Sequence, residues 1–292
     1  DNNPGLFDAV GMKASGIRLV ANSGAKGLSG ARNTGVRAAT GQVVAFIDDD
    51  AIAEPGWLAA LNAAYKSQFV LGAGGRITPQ WPEKMPRWLP EEFLWTLGCS
   101  YKGEATAEGQ VRNLIGCNMS FRRQVLLLAG LFDEQLGRIG NNGAGCEESD
   151  MARRALALFP AARLAMIPDA KVRHVIEKDR TRFGYFIKRC LAEGRSKALM
   201  AGGLQRERNF VMSRLSRAVF GNVFASLTFR DGAGWRKALS ILAGTSAAAA
   251  TYALSRLQGV RPIKRSVDFL PVQVADLDAA DLHSKCTSAR LH

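Results

Sequence analysis

Val43-Val44-Ala45-Phe46-Ile47-Asp48-Asp49-Asp50 is the stretch on which the reading of this 292-residue chain turns. Five apolar residues, three of them β-branched, fit a buried strand. Three carboxylates follow at once. Side by side they repel one another, so packing alone gives no reason for them. At the carboxyl end of a strand in an open α/β sheet, side chains project into the crevice where ligands bind. A divalent cation with hard oxygen ligands, Mg²⁺ or Mn²⁺ carrying a diphosphate, would relieve the repulsion. A solvated acidic turn with Asp50 as a helix N-cap is the alternative.

The flanks favour the cation. Upstream, Ala31-Arg32-Asn33-Thr34-Gly35 opens a helix that runs to Ala39 and is stopped by Gly41. Arg32 carries a planar fork of donors suited to a diphosphate or nucleotide. Downstream, Pro55 has the fixed φ that starts a helix, and Trp57 follows it. This succession of ARNxG helix, glycine turn, apolar strand, acidic triplet and proline–aromatic pair resembles the family 2 glycosyltransferases, enzymes of GT-A fold. Three later segments resemble that family's motifs in the same order. They are Gly116-Cys117-Asn118 through Arg122-Arg123 with Gly130-Leu131-Phe132-Asp133-Glu134, then Glu147-Glu148-Ser149-Asp150, then the strand ending in His174.

The resemblance implies an α/β, nucleotide-diphospho-sugar transferase-like mixed sheet flanked by helices, with a C-terminal helical appendage. It implies an inverting transfer from a nucleotide-sugar donor, with one carboxylate as base. By position that base is Glu148, which stands where the family usually has Asp; Glu147 remains the other candidate. Asp50 and Asp48 are expected to hold the metal, with His174 as the third protein ligand. Arg32, Asp48, Asp49 and Asp1 are expected at the donor. Asn118, Asp150 and Trp88 are expected at the sugar or acceptor. Each has a plainer reading. Acidic residues in a first helical turn favour the helix dipole whatever their chemistry. His174 fits a structural histidine on an alternating strand. Asn118 fits an amide that pins its loop.

Domains are read as residues 1–203, the catalytic unit, then 204–260, a helical and membrane-associated segment, then a tail over 261–292. The opening Asp1-Asn2 resembles the turn after the family's second strand, so the catalytic unit is expected to lack its first strand–helix–strand portion, about 30 residues or more. A truncated remnant acting as a binding module is therefore one alternative function. A nucleotidyltransferase is another, disfavoured because no glycine- and lysine-rich triphosphate loop is visible.

Between residues 79 and 90, four prolines with Trp81 and Trp88 make a stiff excursion that suits an acceptor site or a packed loop. Val211, Leu215, Val219, Val223 and Leu227 repeat at helical spacing beside Arg214 and Arg217. Such a basic amphipathic helix suits peripheral membrane contact, or packing on the catalytic unit. Residues 238–255 carry no charge but are rich in Ala, Ser, Thr and Gly, which weakens the case for a spanning helix. The formal charge of +13 suits anionic lipid or phosphorylated ligands, and no nucleic-acid motif accompanies it. Five scattered cysteines without CxxC spacing indicate neither a zinc site nor a disulfide framework. A polysaccharide or polyprenyl-phosphate-linked acceptor, met at the cytoplasmic face of the cell membrane, is the resulting expectation.

Overall fold

The structure, a computed structural model, describes residues 16–104, 107–138, 145–200, 216–227 and 232–261. Asp1, the 204–215 stretch of the amphipathic segment and the tail beyond Arg261 lie outside the described residues.

Six strands form one mixed sheet in the order β1-β5-β3-β6-β2, with β4 also pairing β6. β1 is Val43–Ile47, β2 Ala51–Ala53, β3 Val70–Gln80, β4 Gly109–Val111, β5 Asn118–Arg122 and β6 Arg163–Val175. β3 and β6 run parallel; every other pair is antiparallel. β1 pairs only with β5 among the described residues, and Ile47 is 41% exposed. The strand expected to be buried over residues 43–47 is thus half-buried, and paired on one side among the described residues. An apolar run reports strand propensity but not position within a sheet. The inner positions go to β5 and β3, whose residues are mostly buried.

Helices cover both faces. Along β5, Met119 and Phe121 enter a core with Val36 of α1 (Leu28–Ala38) and Met151 and Leu158 of α4 (Glu147–Leu158). The alternate residues face the other way, as strand geometry requires. Asn118 accepts from the Trp57 indole at 2.8 Å, and Ser120 accepts from the Tyr65 hydroxyl at 2.8 Å. Trp57 begins α2 (Trp57–Ala64), and Tyr65 caps it. The short α3 (Arg123–Leu128) follows β5 directly.

A third cluster joins the 3₁₀ turn at Glu91–Leu97 to the C-terminal helices. On α5 (Phe183–Leu199), Phe186, Cys190, Gly194 and Ala198 are buried and recur every fourth residue, one stripe of the helix. That stripe meets α7 (Gly234–Leu257), with the shorter α6 (Ser216–Leu227) packed beside it. Contact is backbone-close. A Cβ on Gly194 would collide with the Ala248 carbonyl, and one on Gly244 would press on Phe186 and Cys190. Ile241 of α7 completes the same cluster as Phe93 and Ile77 of the sheet domain. Among the described residues, α6 and α7 thus pack on the same core as the sheet.

Gly194→Val should force α5 and α7 apart. Overpacking of this kind costs about 1–3 kcal/mol, and urea unfolding should show a midpoint lowered accordingly. Ser196→Ala on the same helix should move it much less.

Candidate active site

Arg32 sits at the centre of the site. It lies on α1 with its side chain 6% exposed, and three carboxylates surround it. Its Nη1 donates to Glu147 Oε1 at 3.0 Å and to Glu148 Oε1 at 3.4 Å. Its Nη2 lies 3.6 Å from Asp48 Oδ1. Burial by itself would lower its pKa, but Glu148, Glu147 and Asp48 together outweigh burial and hold it above the ordinary value.

The two glutamates head α4 after Cys146, a non-glycine residue at φ 72°. They differ in exposure. Glu147 is 3% exposed at the side chain, and burial, reinforced by the neighbouring Glu148 charge, pushes its carboxyl well up from the usual range. Its Oε2 is buried without a hydrogen-bond partner. Glu148 is 19% exposed and opens on the central cavity. Of the two, Glu148 has the reach and access of a base, and Glu147 favours its proton.

Strand register assembles the second half of the site. β2 pairs with β6 so that Ala51 faces His174, which brings Asp50 alongside the imidazole. His174 Nε2 lies 2.9 Å from Asp50 Oδ1, and Arg180 Nη1 donates to Asp50 Oδ2 at 3.0 Å. The His174 hydrogen bond, followed by the His174 and Arg180 charges, outweighs burial and holds Asp50 below the ordinary carboxylate range. Asp48 moves the opposite way: burial raises it, with Asp50 and Glu148 adding to the effect. His174 Nδ1 is 3.7 Å from the Cys99 thiol.

Among the described residues, no three His, Cys, Asp or Glu side chains converge as a finished metal cage. The donor chemistry nevertheless fits a divalent cation. Asp48, Asp50 and His174 line one cavity. The 2.9 Å between Asp50 Oδ1 and His174 Nε2 is close to the roughly 3 Å separating neighbouring ligands of an octahedral ion with bonds near 2.1 Å. Two carboxylates and an imidazole suit Mn²⁺ and, less well, Mg²⁺. Asp50 is also held by His174 and Arg180.

The cavity measures about 500 Å³ and also takes in Phe93, Trp95 and Tyr101. Asp49 is exposed and off its wall, so its neighbours on either side face the site and it does not. Three further residues named from the sequence have protein partners and lie off the cavity lining. Asn118 is 1% exposed, and its amide is spent on Trp57, Ala170 and Arg76, tying α2 and β6 to β5. Asp150 is bound by Arg153 at 3.0 Å and Arg154 at 2.8 Å, and the fully buried Arg154 donates onward to the Ala129 and Leu131 carbonyls. Trp88 packs edge-on against Phe183 and Phe186, 5.1 and 5.4 Å between ring centres. Each offered a polar or aromatic group near a motif, which sequence cannot tell from a packing role. Arg180, and the cavity-lining Arg112, Arg138 and Arg189, were not singled out as site residues; they belong to no motif. Arg189 carried only a weak signal, a basic position on a helix.

Residues 7–127 match the family model described as Glycosyl transferase family 2. The chain is 35% identical over 204 residues to the glucosyl-dolichyl phosphate glucuronosyltransferase of Haloferax volcanii, covering 68% of this chain and 65% of that protein. It is 26% identical over 192 residues to the succinoglycan biosynthesis protein ExoM of Rhizobium meliloti, covering 64% and 58%. The chain thus spans somewhat less than two thirds of the length of these relatives. Solved structures with weaker likeness include GalNAc-T7 with UDP, GalNAc and Mn²⁺ (TM-score 0.45, 15% identity, 72% of this chain and 45% of that one). Another is the mannosyltransferase PcManGT of Pyrobaculum calidifontis with GDP-Man and Mn²⁺ (TM-score 0.43, 19% identity, 94% and 63%). The motif order, the mixed sheet and the site built at its strand ends define a nucleotide-sugar transferase-like α/β protein. The chain belongs to glycosyl transferase family 2.

Asp150→Ala should strand the Arg154 charge in the core. Breaking a buried ion pair from one side costs about 3–5 kcal/mol. Thermal unfolding should register a large loss, whereas an Asp150 that touched only substrate would leave the melting temperature unchanged.

Proposed function

We propose that the site transfers a sugar, with inversion, from a nucleotide-diphosphate donor to a hydroxyl or phosphate of a lipid-linked or polysaccharide acceptor. The observation that carries this reading is the meeting of Asp48, Asp50 and Glu148 in one cavity, with Arg32 linking Asp48 to Glu148. Asp50, Asp48 and His174 would hold a divalent cation, which when bound supplies positive charge to the departing diphosphate. Glu148 takes the proton from the acceptor oxygen. That oxygen's electron pair forms the new bond to the anomeric carbon, and the old bond's pair leaves with the diphosphate. Glu147, whose carboxyl burial pushes up, helps to hold Arg32 in place. The glucuronosyltransferase and succinoglycan relatives support an acceptor that is a lipid phosphate or a growing polysaccharide.

A membrane setting is part of the same proposal. Phe220 and Phe224 on α6 are 75% and 61% exposed, and Trp235, Leu239 and Leu242 are exposed on α7. Arg217, Arg236 and Lys237 lie among them. A large apolar patch rimmed by cations suits the inner, anionic face of a cell membrane. By length and composition α7 is able to cross a membrane, but its Gly194 and Ile241 contacts support a helix lying on the protein.

Calorimetry with UDP and GDP in the presence of Mn²⁺ tests the donor site. Asp50→Ala should lower nucleotide affinity at least tenfold; undiminished binding would remove Asp50 from the metal. Glu148→Gln should bind nucleotide normally and turn over about a hundredfold or more slowly, as for a lost general base. Should Glu147→Gln be the variant that binds but does not react, the two glutamates exchange roles.

Flotation on anionic vesicles tests the membrane face. Phe220→Asp with Phe224→Asp should shift the protein from the vesicle fraction to the soluble one, and added salt should do so partially for the parent chain. Equal partition of parent and variant would detach the proposal from this face.

A further inference from the structure

The two aspartates of the metal site are held in different ways. The Asp48 carboxylate is 34% exposed, and its ion-pair partner among the described residues is Arg32, whose Nη2 lies 3.6 Å away, beyond hydrogen-bond length. Asp50 is clamped. The Val175 N–H donates to its backbone carbonyl at 2.8 Å, His174 Nε2 lies 2.9 Å from its Oδ1, and Arg180 Nη1 donates to its Oδ2 at 3.0 Å. All three partners come from residues 174–180, the end of β6 and the 3₁₀ turn Lys178–Thr181 that follows it.

Arg180 is anchored in its turn. Its Nε lies 3.5 Å from Glu177 Oε2, and its side chain is 18% exposed. A guanidinium is planar and rigid, so two held nitrogens fix the whole group. Asp50 and His174 line the central cavity, but Arg180 does not. The Asp50 carboxylate is thus divided. Oδ2 is spent on a cation outside the cavity, while Oδ1 stands beside the imidazole. Charge-assisted hydrogen bonds are among the stronger ones in proteins. Pulling Oδ2 away would strip a mostly buried guanidinium of its shorter ion pair.

This division bears on the choice of cation. Mg²⁺ is small and demands near-octahedral ligation, and Mn²⁺ shares that habit. Ca²⁺ is larger, collects six to eight oxygens and readily takes both oxygens of one carboxylate. An aspartate with one oxygen engaged elsewhere meets the first demand and not the second. We infer that Arg180 is a positioning residue that sets which cation the site accepts: by holding Asp50 Oδ2 from outside the cavity, it leaves Oδ1 alone for a metal and favours Mn²⁺ or Mg²⁺ over Ca²⁺. The inference rests on the transferase reading above, with Asp50 and His174 as metal ligands, and adds to it a residue that acts through Asp50.

Calorimetry on the full chain tests this by measuring UDP and GDP affinity with Mn²⁺ in excess and again with Ca²⁺ in excess. The ratio of the two affinities is the readout. The Arg180 charge opposes both cations alike, so its loss cancels in that ratio, whereas a freed Oδ2 does not. Arg180→Met should lower the preference for Mn²⁺ over Ca²⁺ about tenfold, the scale on which partners of metal ligands act. The change should come chiefly from tighter binding with Ca²⁺. Arg180→Lys, which keeps a charged donor, should restore most of the preference. A purely structural role would move both affinities together and leave the ratio unchanged, and that result overturns the inference. So does a lysine variant that falls as far as the methionine one. If Arg180→Met does not fold, Arg180→Gln carries the same comparison. Failure of the parent chain to bind either nucleotide with Mn²⁺ would strike the transferase reading itself; binding with Mn²⁺ and an unchanged ratio in the variants strikes only Arg180.

Discussion

The site depends on one buried guanidinium. Arg32 ties α1 to the loop after β1 through Asp48 and to the head of α4 through Glu147 and Glu148. An unpaired cation at 6% exposure would cost several kcal/mol, so the three acids and the arginine are a set: remove the arginine and the acids repel, remove the acids and the charge is stranded. Space for the set is provided by Gly116. A Cβ there would collide with both the Arg32 guanidinium and the Glu148 carboxylate. The glycine that opens the GxN segment thus keeps clear the place where Arg32 and Glu148 meet.

The same arrangement separates the two glutamates. Adjacent on a helix, they point in directions about 100° apart. Both line the cavity, but Glu147 is the more deeply buried, 3% exposed at the side chain against 19% for Glu148. Burial, with the neighbouring Glu148 charge added, pushes the Glu147 carboxyl up. Glu148 stands where the resemblance to the family leads one to expect Asp. The longer side chain is held back by its contact with Arg32, which anchors its Oε1 at 3.4 Å.

Much of this was legible in the sequence because chemistry-bearing residues fell at strand ends and helix starts. Asp48, Asp50, Glu147, Glu148, Arg32 and His174 all line the cavity. What misled was motif membership taken as function. Asn118 and Asp150 sit in motifs, yet they bind protein: one closes the gap between α2, β5 and β6, the other neutralises a buried arginine that holds the Gly130–Phe132 turn. The Asn33 side chain works the same way, exchanging two hydrogen bonds with the Phe132 backbone. Part of the motif pattern is therefore the scaffold's own hydrogen bonding. The pairing of β1 with β5 was not legible, because pairing partners lie far off in sequence.

Least legible was the role of α7. Its composition reads as either a poor membrane span or a filler helix. Contact with α5 decides otherwise, and the contact turns on glycine rather than on hydrophobicity. Gly194 and Gly244 let the two helices approach closely enough that α7 becomes part of the cavity wall. Larger residues at those positions would move α7 outward and open the basic end of the cavity to solvent. Water admitted there would screen the charged groups that line the cavity. The helix's small residues thus have an electrostatic consequence. By closing one side of the cavity, they keep water from the charged groups that line it, and so strengthen the interactions among those groups.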